Sequence, residues 1–178
     1  IAGEMPYLVM ELLQGRTLQE LLTEEGPLPP GRAFDIGLQI LRGLSFAHGE
    51  GLIHRDLKPA NIFLQKLPDA SDHVRILDFG LAKFVEKEAQ RSDGPPLTRT
   101  GQVFGTPAYM GPEQATGSET DARTDVYAIG VILFELLAGR RPFVGDRSDL
   151  LRHHLLSPPP SISEVAPDRV AKPALAAL

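Results

Sequence analysis

The chain has 178 residues, 42% of them hydrophobic and 23% charged, with a net charge of −5, the balance of a soluble globular protein of one ordinary domain. The acidic excess argues against a broad nucleic-acid surface, because phosphate backbones select for surplus Lys and Arg. There is no cysteine, which excludes disulfides and Cys-ligated metals and is compatible with a reducing compartment. Residues Ile1 to Pro6 lack the basic and apolar blocks of a signal peptide. The most apolar stretch, Val126 to Ala138, is interrupted by Glu135 and too short to span a bilayer; it reads as a buried core helix. The start at Ile1 without an initiator Met, and the end inside the apolar phrase Ala174 to Leu178, give both termini the look of cuts.

In chain order, Tyr7-Leu8-Val9-Met10 is an apolar run expected to form a short buried strand with an unpaired edge. Thr17-Leu18-Gln19-Glu20 carries the capping-box pattern, so a short helix is predicted through Leu22 that stops at Gly26-Pro27. Pro29-Pro30 opens a second helix at its permissive end. Phe34, Ile36, Ile40, Leu41, Leu44 and Ala47 give that helix a broad apolar face, and Gly49 and Gly51 terminate it. Two β-rich runs follow, Asn61 to Leu64 and Val74 to Leu77, joined by a polar link that predicts a hairpin. Val85 to Thr100 reads as a long loop, a length that usually carries function or disorder. A helix from about Thr124 to Ala138 ends at Gly139, and a shorter one from Asp149 to Leu156 runs into three prolines. No internal repeat is present. The expected class is mainly α with small β-hairpins.

Three segments carry chemistry. His54-Arg55-Asp56-Leu57-Lys58-Pro59-Ala60-Asn61 lies between a long helix and a strand. Asp78-Phe79-Gly80 follows a second strand. Gly105-Thr106-Pro107-Ala108-Tyr109-Met110-Gly111-Pro112-Glu113 closes the polar loop. In motif order and context the chain resembles the eukaryotic-like (Hanks-type) serine/threonine protein kinases, and phrases such as Met110 to Ala115 resemble the bacterial members. The resemblance implies a partial kinase domain over residues 1–178: a C-terminal lobe with no N-terminal lobe, a hinge at 1–16 and an activation segment at 78–113.

It also implies the activity: transfer of the ATP γ-phosphoryl group to Ser or Thr hydroxyls of protein substrates. Asp56 accepts the hydroxyl proton and Lys58 sets its ammonium beside the transferring phosphate. Asn61 and Asp78 offer oxygen ligands suited to Mg²⁺ or Mn²⁺. Lys58 and Gly105-Thr106-Pro107 fit the serine/threonine branch, with Thr106 bonding Asp56 and Lys58. If Met10 matches the position guarding the adenine pocket, the Glu11 carbonyl and Leu13 amide meet the base, and Phe63 lies beneath it, as a core aromatic in either case. Arg55 marks enzymes switched by loop phosphorylation, with Thr98 and Thr100, then Ser92, as acceptors and Lys83 as a second phosphate ligand. Asp125 braces the catalytic-loop backbone, and Glu113 pairs with an Arg further along, expected beyond Leu178. His48, His73, His153 and His154 lack ligand spacing and read as structural or surface residues.

Gly111 stands where the family usually has Ala or Ser. The glycine-rich phosphate loop and the strand Lys are absent, so this segment alone is expected to have little or no kinase activity and to need the missing N-lobe of the same chain. A pseudokinase scaffold is the alternative; such proteins usually lose Asp56, Asn61 or Asp78, all present here. A small-molecule phosphotransferase would lack residues 105–113. No nucleic-acid or membrane contact is expected of the segment, and its location is expected to be cytoplasmic, with a parent protein that other segments could anchor to a membrane.

Overall fold

The computed structural model describes residues 9–68, 71–79 and 106–169. A two-residue strand β1 (Arg16–Thr17) leads directly into helix α1 (Leu18–Glu25). The Glu20 amide donates to the Thr17 hydroxyl at 3.2 Å, and the Thr17 amide donates to the Glu20 carboxylate at 2.7 Å. These are the reciprocal bonds expected from the sequence, and they satisfy two amides that an uncapped helix would leave open. Leu18 and Leu21 are fully buried, which directs α1 into the core.

Helix α2 (Pro30–Gly49) begins with Pro30 in its first turn, where a missing N–H costs nothing. Its buried stripe is Ala33, Ile36, Gly37, Ile40, Leu44 and Ala47, the spacing of one helical face. The apolar face is narrower than the sequence suggests. Phe34 and Leu41 fall on the neighbouring stripe with Leu38, and all three are exposed, because the elements packed on α2 cover one side only.

Those elements are helix α4 (Ala122–Ala138) and the hairpin of β2 (Ile62–Lys66) and β3 (Asp72–Ile76). At the α2–α4 crossing, a Cβ on Gly37 would lie 2.6 Å from Leu133 Cδ2, so glycine permits the close approach. Ile132 and Leu136 of α4 are fully buried against this core; each such side chain contributes roughly 1.5–3 kcal/mol of burial. Gly139 then ends α4 in the left-handed region (φ 77°), as expected from its position. The hairpin pairs Ile62 with Ile76 and Leu64 with Val74, and β1 adds to the other edge of β2 through Thr17 opposite Phe63.

Short elements complete the fold: α3 (Pro112–Thr116), α5 (Arg147–Leu156), α6 (Ile162–Val165), and 3₁₀ turns at Pro59–Asn61, Pro107–Tyr109 and Pro167–Arg169. The mainly helical class with a small antiparallel sheet matches the sequence reading. The strand expected at Tyr7–Met10 does not: its described half, Val9 and Met10, is non-regular and exposed. Apolarity alone makes no strand without a partner. The loop expected at Val85–Thr100 lies outside the described residues. Among the described residues no helix is long and apolar enough to cross a membrane.

Candidate active site

The loop from His54 to Asn61 leaves α2, crosses the core at buried Leu57 and enters β2. Its shape is set by a residue far along the chain. Asp125, in the first turn of α4, is completely buried. It accepts the amides of His54 and Arg55, each at 2.9 Å, and His48 Nε2 at 2.8 Å. A carboxylate can only accept, so His48 carries its proton on Nε2. A buried charge is tolerable when hydrogen-bonded in this way. Arg55 itself is left-handed (φ 69°), a conformation that a residue with a Cβ adopts only where its surroundings enforce it.

His54 is buried and binds in two directions. Its Nδ1 accepts the Asp56 amide at 3.3 Å, and its Nε2 donates to the Leu77 carbonyl at 2.8 Å. Its ring also meets Phe79 edge to face, with centroids 5.0 Å apart. The loop is thereby fastened to the segment carrying Asp78.

Asp56, Lys58 and Thr106 meet at one point. Lys58 Nζ donates to Asp56 Oδ2 at 2.6 Å and to Thr106 Oγ1 at 3.2 Å, while the Thr106 amide points at Asp56 Oδ1 from 3.4 Å. Both charged side chains are about a quarter to a third exposed (26% for Lys58, 31% for Asp56), so the pair is open to an incoming molecule. Asn61 Nδ2 donates to the Asp56 carbonyl at 2.9 Å, and the Leu77 amide donates to the Asn61 carbonyl at 2.8 Å. That last bond extends the β2–β3 ladder and brings the backbone of exposed Asp78 (φ 58°) beside Asn61.

On the far side, Tyr109 donates its hydroxyl to Glu135 Oε2 at 2.6 Å. Burial, then the bond to Glu135, drives the phenol well above its usual range. Burial likewise raises the Glu135 carboxyl, partly offset by Tyr109 and Arg141. Glu113 accepts a short bond from the Thr124 hydroxyl. Gln114 donates to the Arg55 carbonyl at 2.7 Å and accepts the Gly111 amide at 3.0 Å. A small cavity beneath the loop is lined by Arg55, Asp56, Thr106, Gln114 and Asp125, and the buried Arg55 Nε has no hydrogen-bond partner among the described residues.

The residues expected at an adenine pocket are less closely assembled. Met10 and Glu11 are exposed, and Glu11 reaches Arg75 of β3 at 3.4 Å. Leu13 and Phe63 are half-buried. The backbone at Gly15 (φ 149°) runs so close to Phe63 that a Cβ there would lie 2.9 Å from its ring. Thr98, Thr100, Ser92 and Lys83 lie outside the described residues. The sequence reading missed Gln114, Tyr109 and Glu135, and it left His48 as a structural or surface residue. Their partners are 26 to 77 residues distant, and no local spacing announces them.

A model of the protein kinase domain matches residues 3–172. The chain belongs to the protein kinase family. Its relatives include named bacterial serine/threonine-protein kinases. It is 45% identical over 170 residues to the serine/threonine-protein kinase pkn3 of Myxococcus xanthus, covering 95% of this chain and 30% of that protein. It is 43% identical over 145 residues to the serine/threonine-protein kinase PknB of Mycobacterium leprae, covering 82% and 22%. With the serine/threonine-protein kinase pkn2 of Myxococcus xanthus it shares 41% over 167 residues, covering 93% and 19%. The chain thus spans less than a third of the length of these curated relatives.

Proposed function

We propose that this chain is the catalytic part of the C-terminal lobe of a serine/threonine protein kinase, which transfers the γ-phosphoryl group of ATP to Ser or Thr hydroxyls of protein substrates. The observation that carries the reading is the meeting of Asp56, Lys58 and Thr106, a partly exposed carboxylate and an ammonium held together by the substrate-side segment. In the reaction, the Ser or Thr oxygen forms a bond to the γ-phosphorus as the bridging bond to ADP breaks. Asp56 orients that hydroxyl and takes its proton, a contribution of about 10²–10⁴-fold. Lys58 holds Asp56 in place and offers positive charge to the phosphoryl oxygens.

The donor set fits a magnesium ion. Asn61 has its amide nitrogen spent on the Asp56 carbonyl, so its oxygen is the atom suited to a cation, and the Asp78 carboxylate would be the second protein ligand. Two protein oxygens are enough for Mg²⁺, an ion that shares its sphere with water and phosphate. Bound magnesium would neutralise phosphate charge. Phe63 and the backbone at Glu11 and Leu13 are proposed as the lower wall of the adenine site, with Met10 at its edge.

Residues 1–16 are read as the hinge and 78–113 as the activation segment, with Thr98 and Thr100 as its phosphorylation sites. Phosphopeptide mapping of the complete protein tests the latter: modification only at other sites refutes it. Without its N-terminal lobe the segment is expected to be inactive, and a normal rate on a generic protein substrate would refute that. The cytoplasm, where ATP is available, is the proposed location. Full activity of the complete kinase as Asp56→Asn, on a Ser/Thr peptide with Mg-ATP, would overturn the main reading; the expected loss is about a hundredfold or more.

A further inference from the structure

Resting on the kinase reading above, we propose that Gln114 is a positioning residue for Asp56. From α3 its side-chain amide grips the peptide unit from which the base projects, tying the catalytic loop to the substrate-side segment.

The left-handed backbone at Arg55 (φ 69°) stays in place only if its polar groups are held from several directions. The structure accounts for them. Asp125 takes the amides of His54 and Arg55, the His54 ring takes the amide of Asp56, and Asn61 donates to the carbonyl of Asp56. All of these partners lie on α4 or within the loop itself. The Arg55 carbonyl, one bond from the Asp56 nitrogen, is met from the opposite side by Gln114 Nε2 at 2.7 Å, the shortest of the five bonds.

The chemistry of both contacts fixes the amide's orientation. A carbonyl can only accept and a backbone N–H can only donate, so Nε2 must face Arg55 and Oε1 must face Gly111. Gln114 thereby completes half of a capping box at the start of α3, reaching back to a glycine that has no side chain to reciprocate. The same stretch carries Thr106, whose amide and hydroxyl address Asp56 and Lys58. Residues 106–114 therefore hold Asp56 twice: by its carboxylate through Thr106 and by its backbone through Gln114. A substrate that settles this segment would also settle the base.

Gln114→Glu separates the two contacts. A carboxylate still caps Gly111 but sets an oxygen against the Arg55 carbonyl. In the complete kinase, assayed with Mg-ATP and a Ser/Thr peptide, Gln114→Glu is expected to lower kcat about tenfold, the scale of one lost hydrogen bond. The KM for ATP should stay within about twofold, since a bond to the base's peptide is a kcat matter. The ratio of variant to wild-type kcat should climb as pH falls from 7 towards 5, because the introduced carboxyl, ordinarily titrating at about 4.3 and raised by the carbonyl acceptor it faces, regains a donor as it is protonated. Gln114→Met, uncharged and of similar size, covers the case in which the carboxylate unfolds the domain. It should show the same loss with a flat ratio. Asp56→Asn serves as the reference. Wild-type kcat in the folded Gln114 variants beside an inactive Asp56→Asn overturns the clamp and leaves the kinase reading standing. Full activity in Asp56→Asn overturns both.

Discussion

His48 and Asp125 lie 77 residues apart and meet through a 2.8 Å bond at a carboxylate that is entirely buried. The same carboxylate holds the amides of His54 and Arg55, so one side chain fixes the end of α2, the start of α4 and the loop between α2 and β2. Asp125→Ala should strand two backbone donors and an imidazole N–H. The expected loss is about 3–5 kcal/mol in urea unfolding of the complete domain. His48→Ala removes one donor and leaves the carboxylate two, so about 1–2 kcal/mol is expected. Equal losses from the two variants would refute this ranking.

The Tyr109–Glu135 pair supports a pH prediction. Burial raises the folded-state pKa of Glu135 above its ordinary value of 4.5, so over the window just above that value the folded protein holds a proton that the unfolded chain has released. Stability from this group is complete below about 4.5 and is lost as pH rises through the folded value. Glu135→Gln cannot ionise, and its amide oxygen still accepts from Tyr109. The variant should be the more stable form at pH 7.5, by under about 1 kcal/mol given partial solvent access, and the advantage should vanish near pH 4.5. Thermal melts across that range decide the matter, and a wild type that stays the more stable at pH 7.5 counts against it.

His154 works in the opposite direction. It is buried on α5, where Tyr127 bonds its Nδ1 at 2.8 Å and Phe143 meets its ring edge-on. Burial pushes its pKa below the ordinary 6.5. Below about pH 6.5 the unfolded chain takes up a proton that the folded one resists, so stability is present above that pH and falls as the solution is acidified. The slope is at most about 1.4 kcal/mol per pH unit. His154→Met should lower stability at neutral pH and flatten the slope between pH 6.5 and 5. A slope unchanged in the variant would assign the acid sensitivity to another group.

How far the sequence could be read depended on the distance over which each contact acts. The Thr17–Glu20 box, the Pro30 start of α2 and the Gly139 stop are local, and each was readable from a few neighbouring residues. The β2–β3 hairpin was readable because its two runs are adjacent in the chain. The meeting of Asp56, Lys58 and Thr106 was expected only through family resemblance, since 48 residues separate Lys58 from Thr106. Where apolarity alone was the guide, the reading failed. Val9 and Met10 are exposed, and Phe34 and Leu41 face away from the core, because hydrophobicity does not reveal which neighbour covers a face. Gln114 was missed for a related reason: a glutamine after Pro-Glu has no signal until its carbonyl partner at Arg55 is seen in space.

Thr106 and Lys58 offer a graded test of the proposed site. Thr106→Val keeps the side-chain shape and the amide that points at Asp56 Oδ1, and removes only the oxygen that accepts from Lys58 at 3.2 Å. Lys58 retains its 2.6 Å bond to Asp56, so kcat should fall about tenfold, with unfolding free energy changed by under about 1 kcal/mol. Lys58→Ala removes the ammonium from both partners and from the transferring phosphoryl group, and a loss of about a hundredfold or more is expected. Lys58→Arg should recover little of it, because a planar fork cannot occupy the point that a compact ammonium shares between a carboxylate and a hydroxyl. Steady-state kinetics of the complete kinase orders the three variants. A Thr106→Val enzyme slower than Lys58→Ala would mean that the threonine hydroxyl, and not the ammonium, organises Asp56.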